Sequence, residues 1–262
     1  MINFSAIVPH PPMLIPTIGK ENAKRAEATG KAIASLSEAL YVSRPETVVI
    51  ISPHGQTMTD AFSINLASNY KVSFKDFGDY QTTKEFPSDF MLIDKIQRSA
   101  RKETPLVLGS QEELDYGAGV PLTLLGEHLS KVSLVPVLTS GLDLKAHYDF
   151  GRLLKEEITS SNKRVALIAS ADLSHTLSQE APAGFAKEGQ ELDKAVQELI
   201  ANKNAAGLIG LDAGLREKAH ECGIRAILIL LGMLDGVQYE PKVLSYEYPF
   251  GVGYLVANLV LS

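Results

Sequence analysis

The stretch TVVIISPHG (47–55) decides how this chain is read. Thr47, Val48, Val49, Ile50 and Ile51 form an unbroken β-branched run with no polar alternation, the pattern of a strand covered on both faces in a parallel sheet. Pro53 and Gly55 then stop it. Similar runs occur on either side: INFSAIV (2–8), closed by Pro9 and Pro11–Pro12, VSLVPVL (132–138) and RVALIAS (164–170). Helical spacing of apolar residues fills the intervals, predicting helices over 20–42, 85–101, 120–130 and 143–160, two over 186–210, and an apolar one over 218–235. Segments 61–67 and 70–75 read as a strand pair at a sheet edge, and 242–247 and 252–261 as closing strands. Alternation of this kind is the mark of an α/β fold. No repeat or linker-like tract interrupts it, so residues 1–262 are expected to form a single domain.

Composition narrows the function. The chain has 262 residues, 45% hydrophobic and 21% charged, with a net charge of −6. Scattered Lys and Arg on an acidic chain argue against nucleic acid as a partner, because phosphate binding needs clustered cations. No run approaches the roughly 18 apolar residues of a membrane span, and the start lacks a signal-peptide pattern. Cys222 is the one cysteine, so no intramolecular disulfide forms. A cytoplasmic location is the resulting expectation.

Chemistry is expected where three histidines follow buried strands: His10 in AIVPHPPML, His54 in VVIISPHG and His175 in VALIASADLSH. Ligands of open α/β sheets bind outside the carboxyl ends of strands, where such loops meet. One histidine after a strand is ordinarily a hydrogen-bonded loop residue; three among six in the chain point to one pocket. His128 and His147 fall within predicted helices and read as solvated, and His220 stays ambiguous. Two imidazoles and a carboxylate would form a facial triad that leaves positions open on Fe(II). Asp172 could orient His175 or cap a helix. Glu221, at the start of an apolar helix, suits a ligand because a helix N-terminus favours negative charge, although an i,i+4 ion pair with Arg225 also explains it. Cys222 reads either as a small buried residue or as a soft thiolate that would favour Zn or Cu.

At these residues the sequence resembles the class III extradiol ring-cleaving (LigB-like) dioxygenases, nearest the branch of the Memo proteins and of the domain fused to AMMECR1. The resemblance rests on VPHPPML (8–14), SPHG (52–55), LDYGAGVPL (114–122), SADLSH (170–175), APAGF (181–185), ECGIRAILILLG (221–232) and SYEYPFGVGYLVA (245–257), in order along nearly the whole chain. It implies a three-layer α/β/α domain around a mixed, mostly parallel sheet. It also implies metal ligation by His10, His54 and Glu221, with His175 as an acid–base neighbour. The implied reaction opens a small catechol-type ring with O2 on Fe(II).

Two departures stand out. Tyr116 occupies a place where well-studied members of the family carry histidine, so a contact to substrate or oxygen is altered. Cys222–Gly223 matches the dipeptide at the third ligand place of Memo proteins, so Cys222 is the alternative to Glu221, and with it Zn or Cu. Residues a helical step apart diverge by about 100°, so one of the two is expected to face the metal. The competing expectation is therefore a Memo-like metal- or ligand-binding protein without ring cleavage. A homo-oligomer, an AMMECR1-like domain and a radical-SAM enzyme are the partners the resemblance suggests.

Overall fold

Why the continuous apolar runs lie where they do becomes clear from the sheet they build. The computed structural model describes residues 1–126, 129 and 131–262. The strands are β1 (Ile2–Val8), β2 (Thr47–Ser52), β3 (Phe62–Asn65), β4 (Asn69–Phe74), β5 (Asp79–Pro87), β6 (Leu106–Gly109), β7 (Ser133–Leu138), β8 (Val165–Ser170), β9 (Tyr239–Glu247) and β10 (Tyr254–Leu261). The helices are α1 (Pro16–Gly19), α2 (Glu27–Ser43), α3 (Phe90–Ala100), α4 (Tyr116–Leu125), α5 (Leu144–Ser160), α6 (Lys187–Ala201), α7 (Ala205–Ile209), α8 (Ala213–Ala219) and α9 (Ile224–Met233).

Eight strands form one sheet in the order β6-β3-β7-β2-β8-β1-β10-β9. The central β7, β2, β8 and β1 run parallel, while β10 pairs antiparallel with both β1 and β9. Successive residues of β2 enter different cores. Val49 and Ile51 pack with α3, α5, α6 and α9, whereas Val48 and Ile50 pack with α2, α4 and the hairpin of β4 and β5. This two-sided burial accounts for the missing polar alternation, and it gives the expected α/β fold with helices on both faces of a mixed sheet.

The departures are local. Segments 61–67 and 70–75 do not pair with each other. β3 inserts between β6 and β7, while β4 pairs with β5 in a separate two-stranded ribbon. The helix expected from residue 85 begins at Phe90, capped by Asp89, whose side chain accepts from Leu92 N. Residues Lys20–Ala26 are 3-10 helix before α2 begins. The helix expected over 218–235 is broken: α8 ends at His220, at φ 51°, and α9 begins at Ile224. His147 is fully buried rather than solvated. Its Nε2 accepts from the backbone N of Ser140, and its Nδ1 lies 2.7 Å from the Asp143 carbonyl oxygen. The expectation for His128 lies outside the described residues. Among the described residues no helix is long and apolar enough to cross a membrane.

Candidate metal centre

β1, β8 and β2 are neighbours in the sheet, and their carboxyl ends carry His10, Ser170 with the loop to His175, and His54. His10 is almost completely buried. Its backbone N donates to Asp172 Oδ1 at 2.9 Å, which ties the loop after β1 to the loop after β8. Ser170 Oγ donates its proton to the Gly117 carbonyl, so it can only accept from His10 Nδ1, 2.8 Å away. This fixes the proton of His10 on Nδ1 and leaves the Nε2 lone pair facing the cleft, the tautomer that a metal-binding imidazole requires.

His54 approaches from the other side, its Nε2 lying 3.0 Å from His10 Nε2. Tyr116, the first residue of α4, stacks on the His54 ring at a centroid distance of 4.5 Å and brings its hydroxyl to 3.0 Å from the same Nε2. Asp115 anchors this arrangement by accepting from both Ser52 Oγ and Ala118 N. Gly117 permits the close approach of α4: a Cβ there would lie 2.5 Å from Ser52 Oγ and 3.0 Å from His54 Cδ2.

The third corner is Cys222. Its Sγ lies 3.6 Å from His10 Nε2 and 3.7 Å from the Asp172 carbonyl oxygen. Nε2 of both histidines and this sulfur form a group of donor atoms within 4.8 Å of one another. Glu221 is turned the other way. Its Oε2 accepts from Ile224 N at 2.9 Å, and its Oε1 lies 3.5 Å from Arg216 Nη1. The Arg225 ion pair considered from sequence does not form. Gly223 sets the direction of the turn, since a Cβ there would lie 2.5 Å from the Asp172 carbonyl oxygen.

Electrostatics agree with a site built for neutral imidazoles. Burial holds His10 well below the usual histidine range, with His54 and then His175 adding to the effect. His54 is lowered by burial as well, partly offset by Asp115. The 3.5 Å contact of His10 Nε2 with Asp172 Oδ2 is therefore not an ion pair. Asp172 is itself pushed up to about 7 by burial, and Tyr116 to about 12 by burial and then by Cys222. Burial raises the Cys222 thiol well above its usual value, and Asp172 and Glu221 raise it further. His175 stands beside this group. Burial lowers its proton affinity, partly offset by the backbone at His220 and Leu173.

Of the residues expected from sequence, the fold thus brings His10, His54, Cys222, Asp172 and Tyr116 together, with His175 adjoining and Glu221 facing away. Asp172 braces His10 rather than His175. Sequence reasoning missed Ser170 and Gly117 as supports, although both lie inside motifs that were singled out.

The family of the catalytic LigB subunit of aromatic ring-opening dioxygenase matches residues 5–257. The chain belongs to the LigB family. Protein CA_C1420 of Clostridium acetobutylicum is 30% identical over 268 residues, covering 98% of this chain and 57% of that protein. The chain thus spans little more than half the length of this relative. The crystal structure of the uncharacterized protein JW3007 from Escherichia coli K12 shares the fold at a TM-score of 0.66 and 15% identity, over 98% of this chain and 99% of that one.

The residues present fit a transition metal by the chemistry of their donors. A preset Nε2 lone pair, a second imidazole nitrogen and a thiol converge, and imidazole with thiolate suits Zn, Cu or Fe.

Proposed function

We propose that this LigB-family chain is a metal-binding protein whose centre is held by His10, His54 and Cys222, with the Asp172 carboxylate at its side. The observation that carries this reading is that Cys222 Sγ, not the Glu221 carboxylate, joins the two imidazoles. A thiolate favours Zn or Cu over the two-histidine-one-carboxylate set of Fe(II) oxygenases. Its thiol must lose a proton to ligate, so metal uptake would release protons.

A second reading, Fe(II)-dependent opening of a small catechol-type ring, is favoured by the family match and by the groups around the cluster. A bound iron would supply the template and electron path that the reaction with O2 needs. The chain's own part would be to hold the ring and move protons. His175, held toward the neutral form by burial beside the cluster, is suited to accept a proton from a substrate hydroxyl and return it on ring opening. The Tyr116 hydroxyl, already at His54 Nε2, is suited to donate a hydrogen bond to a substrate oxygen.

One experiment tests both readings. Protein loaded anaerobically with Fe(II), Zn or Cu is assayed for bound metal and then with a panel of catechols in air. Metal binding lost in Cys222→Ala and kept in Glu221→Gln supports the His/His/Cys centre; the reverse overturns it. A ring-opened product from the iron-loaded protein alone would establish the second reading.

A further inference from the structure

The turn between α8 and α9 has a second side, away from Cys222. There Ala213, Arg216, Glu217, His220, Glu221 and Arg225 line a cavity of about 360 Å³, within the size range of small-ligand sites. Its lining carries two arginines and two glutamates, of which Arg216 and Glu221 pair with each other. The Glu221 carboxylate is already engaged, with one oxygen on the Ile224 N–H and the other on Arg216. Glu217 is exposed to solvent.

Arg225, on the first turn of α9, is only partly exposed, yet its Nε is buried and has no hydrogen-bond partner. Arg216 Nε is buried and unpartnered in the same way. Its side chain is only 18% exposed. Buried guanidinium N–H groups without an acceptor are costly, and a planar fork of donors matches the oxygens of a carboxylate or phosphate. The charge of Arg225 is also felt at His147, whose proton affinity it helps to lower after burial has done most of the work.

We infer that this cavity is an oxyanion site, in which Arg225 and Arg216 bind the carboxylate or phosphate group of a small organic ligand on the far side of the Cys222 turn. It does not depend on which metal, if any, the His10 cluster takes. Glu221, also in the lining, pairs with Arg216 and holds that guanidinium at the cavity, while no side-chain acceptor meets the Arg225 Nε–H.

The test is a titration of the ¹⁵N-labelled full chain, followed at the arginine Nε–H resonances. Inorganic phosphate and acetate are added separately at constant ionic strength, with chloride as control. Saturable shifts of Arg225 and Arg216 with either anion are expected, and the anion that produces them identifies the ligand class. Arg225→Gln should weaken the response about tenfold or more, the worth of a charge-assisted hydrogen bond. Arg225→Lys should weaken it less, while Arg152→Gln, at an exposed arginine paired with Asp235, should leave it unchanged. Shifts that stay linear, match those of chloride, or persist in Arg225→Gln overturn the assignment. The wild-type titration decides the matter even if a variant fails to fold.

Discussion

Glu221 and Cys222 are consecutive in the chain and serve opposite sides of one turn: Sγ lies 3.6 Å from His10 Nε2, while the carboxylate caps Ile224 and meets Arg216. Substitutions at the two positions should therefore separate metal binding from stability. Cys222→Ala is expected to lose the bound metal with little effect on the fold. Glu221→Ala is expected to keep the metal but to lose about 1–3 kcal/mol of stability, because it leaves the Ile224 N–H and Arg216 without their acceptor. Metal per chain by mass spectrometry, together with urea unfolding, measures both effects.

Ser170 touches the proposed metal centre through the proton of His10, while its own hydroxyl ties α4 at the Gly117 carbonyl. In Ser170→Ala the Nδ1–H loses its acceptor, and the alternative tautomer would turn an N–H toward the cleft. Metal affinity is expected to fall about 10- to 100-fold, the usual scale for removing the partner of a ligating histidine. A competition titration against a chelator of known affinity reads this directly, and unchanged affinity would refute the tautomer assignment.

Gly117→Ala tests the packing behind His54. The added methyl would meet Ser52 Oγ and His54 Cδ2 at contacts of 2.5 and 3.0 Å, so α4 or His54 must shift. A stability loss of about 1–3 kcal/mol is expected from overpacking, with metal affinity falling alongside it. A thermal midpoint that drops while affinity holds would mean that α4 moves and His54 does not.

Asp193, on α6, supplies a pH-dependent signal outside the cluster. Its Oδ1 accepts from Ser174 N and its Oδ2 from the Tyr246 hydroxyl, yet burial pushes the carboxyl up to about 6 from the usual 3.8. The folded state then holds more protons than the unfolded one between those values. The stability contributed by this group is present at low pH and is lost as pH rises through that window. Asp193→Asn removes the cost. The melting temperature of the variant relative to wild type should climb from about pH 4 to pH 6 and level off above that. A difference that stays constant across pH would contradict the assignment.

What could be read from sequence, and what could not, follows from how far each signal is local. The runs 47–52 and 164–170 announce strands because both of their faces are buried, and His54 and His175 are placed by the ends of those runs. Asp79–Pro87 carries no apolar run at all. It becomes strand only because β4 pairs with it, while Phe86 reaches the core. Leu106–Gly109 is too short to signal itself. The preference for Glu221 over Cys222 assumes that residue 221 opens an apolar helix, but residues 221–223 lie between helices, bent by His220 at φ 51° and by the packing of Gly223. His147 reads as solvated because histidine is polar, yet it lies on the buried stripe of α5 with Leu144, Phe150, Leu154 and Ile158, so the helix's own periodicity carries that signal, while Ser140 and Asp143 satisfy its ring nitrogens.

β1 lies between β8 and β10 in the sheet, and this has a consequence for synthesis on the ribosome. The strand that carries His10 is made early, but its neighbours begin only at Val165 and Tyr254. At usual elongation rates the wait is on the order of tens of seconds. Throughout it, Phe4, Ala6, Ile7 and Val8, all buried in the finished fold, have no strand on either side. The nascent chain must shelter this segment or be sheltered by a chaperone, and a transcript truncated before residue 254 would release a product with β1 open along one edge, ready to pair with its own copies.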